Sequence, residues 1–110
     1  METHAPCTIT ILEAQPNCAW VRGLSEPFTF EALVYCVESK YGIHEGRISK
    51  FAVWIDCKKS SKKHWIANYD RGWDRCPDEE HQASIDRFIS LLEAMPEPEY
   101  LVANQTFELD

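Results

Sequence analysis

Four residues of metal-binding type stand out first: Cys57, His64, Cys76 and His81 follow the spacing C-x6-H-x11-C-x4-H. Thiolates and imidazoles are the ligands zinc takes in structural sites, so one reading is a zinc-stabilised small domain. The spacing speaks against it, because the paired cysteines of the usual zinc modules lie roughly two to four residues apart. His81 also falls on an apolar helical stripe, where a packed core histidine is the ordinary outcome. The expectation is therefore no metal and no cofactor. The same residue types offer nucleophilic chemistry, but no local signature joins a thiol to a base. Phosphate-cradling, dinucleotide, nucleophile-elbow and H-E-x-x-H motifs are all missing, and the chain has only 4 Gly. The chain is expected not to be an enzyme.

Charge is the stronger signal. The 110 residues carry 18 acids against 11 Lys and Arg, a formal net charge of −7. Residues 1–46 hold six acids and two bases, residues 47–73 two acids and seven bases, and residues 74–110 ten acids and two bases. The average thus hides a basic segment of +5 between flanks of −4 and −8. The basic segment contains Trp54 and Trp65, with Lys58, Lys59, Lys62 and Lys63 at its tip. Lysines beside aromatic rings can hold single-stranded nucleic acid by phosphate contact and base stacking. Against that stand the acidic flanks, which repel a polyanion. Tryptophans packed in a core behind a solvated lysine turn would give the same sequence.

The acids of the last third recur along one helical face as Glu79, Asp86 and Glu93, with Asp78 and Glu80 at its start. Carboxylates spaced in this way can occupy a basic groove that ordinarily holds nucleic acid, and complementary fields speed such encounters. Exposed aromatics would anchor the contact, and Trp73, Tyr35 and Tyr100 are the candidates. In size, acidity and lack of catalytic motifs, the chain is similar in general character to small acidic inhibitors encoded by phages and mobile elements, such as anti-CRISPR proteins. Bacterial immunity proteins that block toxin nucleases share that character. The resemblance implies a cytosolic inhibitor and transfers no residues.

The leading expectation is a non-enzymatic protein-binding module, a nucleic-acid mimic that covers a basic surface of a nucleic-acid-handling partner. Its contacts would be Asp78, Glu79, Asp86 and Glu93, with Trp73 as anchor. The alternative is a nucleic-acid-binding accessory protein that uses the hairpin 47–73 through Lys58, Lys59, Lys62 and Lys63.

Elements must position these groups. Thr8-Ile9-Thr10-Ile11-Leu12 alternates with period two, and Cys18–Leu24 resumes the pattern after Gln15-Pro16-Asn17, predicting a hairpin over 8–24. Phe30, Leu33, Val34, Val37 and Tyr41 recur at helical spacing before Gly42 and predict a helix over 30–41. Thr29 would cap it, and Phe28 and Leu33 would staple it. Phe51–Cys57 and His64–Asp70 predict a second hairpin. Pro77 opens a second helix, whose stripe of His81, Ile85, Phe88, Ile89, Leu92 and Met95 ends at Pro96. A last edge strand is expected over Tyr100–Ala103, with Gln105–Glu108 as its continuation.

The predicted order is β-β-α-β-β-α with a possible final edge strand. This describes one α+β domain over 1–110, an antiparallel sheet of two hairpins with two helices packed on one face. The 5 cysteines are irregularly spaced, without a C-x-x-C pair, and no signal peptide or apolar span is expected. Free thiols of this kind predict a reducing cytoplasm and no membrane partner.

Overall fold

The computed structural model describes residues 5–57 and 62–109. Apolar alternation builds the first two strands, β1 (Cys7–Gln15) and β2 (Cys18–Ser25). Cys7, Ile9 and Ile11 of β1, and Ala19 and Val21 of β2, point to one face and are buried. The chain continues into β3 (Phe28–Tyr35), β4 (Ile48–Asp56), β5 (Lys63–Asp70) and the short β6 (Trp73–Arg75). A 3-10 turn at Glu79–His81 then leads into α1 (Gln82–Glu93), and another at Pro98–Tyr100 leads to β7 (Thr106–Leu109). The seven strands form one antiparallel sheet in the order β6-β5-β4-β3-β2-β1-β7. α1 crosses one face, and β7 closes onto β1 at the far edge.

The predicted two-helix plan is therefore corrected. Residues 30–41 are not a helix, and α1 is the only α-helix among the described residues. Phe30, Leu33 and Val34 satisfy a helical period, but Phe30, Ala32 and Val34 also alternate, and a short apolar run fits both. Pairing decides the matter: β3 is bonded along its length to β2 on one side and to β4 on the other. Val37 and Tyr41, which completed the helical stripe, are more than half exposed in the loop that follows. Thr29 lies within β3 rather than at a cap. Pro77 precedes the 3-10 turn, so the real helix begins five residues later, at Gln82.

The core lies between α1 and the sheet. Ile85, Phe88, Ile89 and Leu92 line the buried side of α1. Phe88 stacks on Phe30 at 4.6 Å between centroids, and Phe30 in turn meets Phe51 edge-on at 5.9 Å. Gly23 makes room for this stack: a β-carbon there would stand 2.0 Å from the Phe30 ring. Two arginines fasten the helix. Arg87 donates to the Ala5 carbonyl at 2.9 Å and to the Ser25 hydroxyl at 3.2 Å.

Arg47 holds the other end. Its guanidinium donates to the main-chain carbonyls of Tyr35, Glu93, Met95 and Pro96 at 2.8–3.2 Å. The last carbonyls of a helix have no partner within it, and a cation supplies one.

Candidate functional site

The strand periodicity that sends one set of side chains under α1 sends the alternate set to the opposite face, which no α-helix among the described residues covers. β-bridge partners arrange them in rows. Lys50, Leu33 and Trp20 form one row across β4, β3 and β2. Asn68, Ala52, Glu31, Arg22 and Thr10 form the next, and Trp65, Trp54, Thr29, Leu24 and Thr8 a third. Trp54 and Trp65 are therefore not part of the core under α1. Their rings lie 5.5 Å apart at 58°. Trp54 is 4 % exposed and Trp65 40 %, so the outer ring shields the inner one.

Cations lie over these rings. The Lys63 ammonium stands 4.1 Å from the Trp54 centroid and 5.4 Å from that of Trp65, and the Lys50 ammonium 5.8 Å from Trp20. Such contacts contribute about 0.5–1 kcal/mol each at exposed sites. The acids of this face are largely matched. Glu31 is paired with Arg22 (Nε to Oε2, 2.7 Å), Asp56 lies opposite Lys63, and Asp70 opposite Lys50 and 3.5 Å from Arg71. Glu13 stands directly across from Trp20 and Glu108 across from Thr8, so these two acids extend the same rows onto β1 and β7.

At one end of this face, the loop after β3 folds past the sheet and leaves a cleft of about 420 Å³. Leu33, Tyr35 and Val37 supply apolar and aromatic surface, and Arg47, Lys50 and Arg71 supply positive charge. No carboxylate occurs among the described residues that line it. The Arg47 donors are engaged by the carbonyls named above, and the other two cations of the cleft, Lys50 and Arg71, both neighbour Asp70, which lies across the ladder from Lys50 and 3.5 Å from the Arg71 Nε. Arg71 adopts φ 58°, in the turn between β5 and β6, with its backbone N–H donating to the Ser49 carbonyl at 2.9 Å.

The predicted acidic surface fares unevenly. Asp78 and Glu79 are exposed at the 3-10 turn before α1, and Asp86 is exposed on the helix, accepting from the Gln82 side chain at 2.9 Å. Glu93 is engaged internally: its carboxylate accepts the backbone N–H of Arg47 at 2.9 and 3.1 Å. A β-carbon on Gly46 would press against it at 2.3 Å. Trp73 stands on the edge strand β6, its ring 5.1 Å from Tyr69. Tyr100 is 70 % exposed, and the neighbouring charges of Glu99, with a hydrogen bond to it, and then Glu97 raise its hydroxyl above the usual tyrosine range. Of the predicted basic contacts, Lys62 and Lys63 begin the β5 side of the hairpin, and Lys58 and Lys59 lie outside the described residues.

The zinc quartet does not converge. Among the described residues, the one group of three or more such ligands with atoms in common reach is Asp78, Glu80 and His81, within 4.8 Å of one another. His81 packs edge-on against Phe28 at 5.7 Å. Cys57 and Cys76 are exposed, and Cys7 is buried, which pushes its thiol up against the opposing influence of Arg87.

Residues 19–93 match the family described as a domain of unknown function, DUF7678. The chain belongs to the DUF7678 family. The match runs from β2 through α1 and contains the tryptophan cluster, the cleft and the acids from Asp78 to Glu93, while β1 and β7 lie outside it. No curated protein and no solved structure matches the chain.

Sequence reasoning missed Trp20, Lys50 and Arg71 as site residues. The +5 segment held two of them, but only the strand register shows which side chains share a face.

Proposed function

We propose that this DUF7678 member is a non-catalytic binding module that holds single-stranded nucleic acid on the uncovered face of its sheet. The observation that carries this reading is the Trp54–Trp65 pair under the Lys63 ammonium, on the face away from α1. Stacking platforms combined with nearby cations bind single strands with little sequence preference. The acidic flanks that argued against nucleic acid lose part of their force. The stretch from Asp78 to Glu99 runs on the other face, where α1, His81 and Pro98 pack. Five cysteines without a disulfide among the described residues support a cytoplasmic setting. No helix among the described residues is long and apolar enough to cross a membrane.

The test is fluorescence anisotropy with a short labelled single-stranded oligonucleotide at low salt. Binding should weaken as salt rises, and Trp65→Ala should reduce it by about tenfold or more. An affinity indifferent to Trp65 and Lys63 would sink the reading.

A second reading, a module that inhibits a nucleic-acid-handling protein by covering its basic surface, is favoured by the exposure of Asp78, Glu79 and Asp86 together on the α1 side. Reversing the charge of Glu79 and Asp86 should then abolish capture of such a partner while leaving oligonucleotide binding intact.

A further inference from the structure

The cleft beside the β3–β4 loop is chemically unlike the rest of the chain. In a chain of net charge −7, the described residues that line this opening include cations and no acid, with Asp70 outside the lining as the carboxylate beside Lys50 and Arg71. Its volume of about 420 Å³ falls in the range of small-molecule sites. The walls divide by chemistry. Leu33, Tyr35 and Val37 offer apolar and aromatic surface, and Lys50 and Arg71 offer charge from two separate segments. A flat base suits the former. A phosphate dianion suits the latter, where a lysine point charge and an arginine fork can approach different oxygens.

Arg71 carries a further mark. Its φ of 58° lies in the left-handed region, which favours glycine and which an arginine adopts at a cost. Gly72, next in the chain, has no positive φ. The fold thus places a charged, exposed side chain at the strained position of the turn, and that side chain lines the cleft.

We propose that the cleft is a subsite for a nucleoside 5′-phosphate, with the base against Tyr35 and Leu33 and the phosphate between Lys50 and Arg71. It deepens the reading of the open face as a nucleic-acid platform and rests on it for the choice of ligand class. The nucleotide arrives either free or as the phosphorylated end of a strand, and both present the same chemistry.

The experiment titrates the full chain with nucleoside 5′-monophosphates, the matching nucleosides and inorganic phosphate, followed by calorimetry or NMR shifts. The monophosphates should bind about tenfold more tightly than either fragment. Arg71→Gly and Lys50→Ala should each weaken them by about fivefold or more, and Trp65→Ala should leave them unchanged. Arg71→Gly should melt no lower than the parent, because glycine suits that φ; loss of binding with retained stability separates a ligand contact from a structural one. Oligonucleotides with and without a 5′-phosphate distinguish the sources. A gain with the phosphate assigns the strand end, and no gain alongside monophosphate binding assigns the free nucleotide. No monophosphate binding at millimolar concentration, or binding indifferent to both substitutions, overturns the subsite. Oligonucleotide binding that depends on Trp65 would survive that result, so the platform and the subsite fail separately.

Discussion

The two faces of one sheet are built from the same strands and do opposite things with their aromatic residues. Under α1, Phe30, Phe51 and Phe88 pack stacked and edge-on, each almost wholly buried, with the Arg87 guanidinium 6.0 Å from the Phe88 centroid. On the open face, Trp20, Trp54 and Trp65 sit beside ammonium groups, and Trp65, 40 % exposed, covers Trp54. Aromatic content therefore says little by itself. What surrounds the ring determines whether it contributes to folding or remains available to a ligand.

The sharpest break in this contrast is Phe88→Ala, which should cost about 3–5 kcal/mol in chemical denaturation by leaving a cavity between α1 and the sheet. A loss below about 1 kcal/mol would show that the stacked core is not what holds the helix. Next is Arg47→Met, which strips four main-chain carbonyls of their donor and should cost about 2 kcal/mol. The same variant should loosen the end of α1 in hydrogen exchange. Trp65→Ala comes third, with about 1 kcal/mol off stability through the lost Trp54 contact, set against a tenfold or larger loss of oligonucleotide affinity. If its stability cost matched that of Phe88→Ala, the open face would be a second core and not a platform. The smallest effect belongs to Glu79→Lys with Asp86→Lys. These exposed positions should shift stability by no more than about 0.5 kcal/mol in thermal melts.

Much of this architecture can be read from the residues, and the reasons for the rest are physical. Thr8–Leu12 and Phe51–Cys57 alternate or carry β-branched side chains strongly enough to mark their hairpins, and the Ile85-Phe88-Ile89-Leu92 stripe marks α1. β3 could not be read, because Phe30, Leu33 and Val34 satisfy a 3.6 period and a 2.0 period together. Only its two bonded neighbours separate them. The candidate site shows the same divide. The charge block at 47–73 was visible as composition, whereas the outward direction of Trp54 depends on which face α1 takes. The cleft joins residues 33–42, 47–50 and 71, and no local pattern connects those segments. Glu93 sits on the outer side of its helix by periodicity. Its use by the Arg47 amide, 46 positions away, is a tertiary fact.

The pairing of β7 with β1 reaches beyond the sheet. Cys7, where the first strand begins, lies directly across from Leu109, where the last one finishes. The polypeptide thus enters and leaves this fold at a single corner. A fold with that geometry can be hung within a longer chain like a bud on a stem, leaving the segments on either side close together.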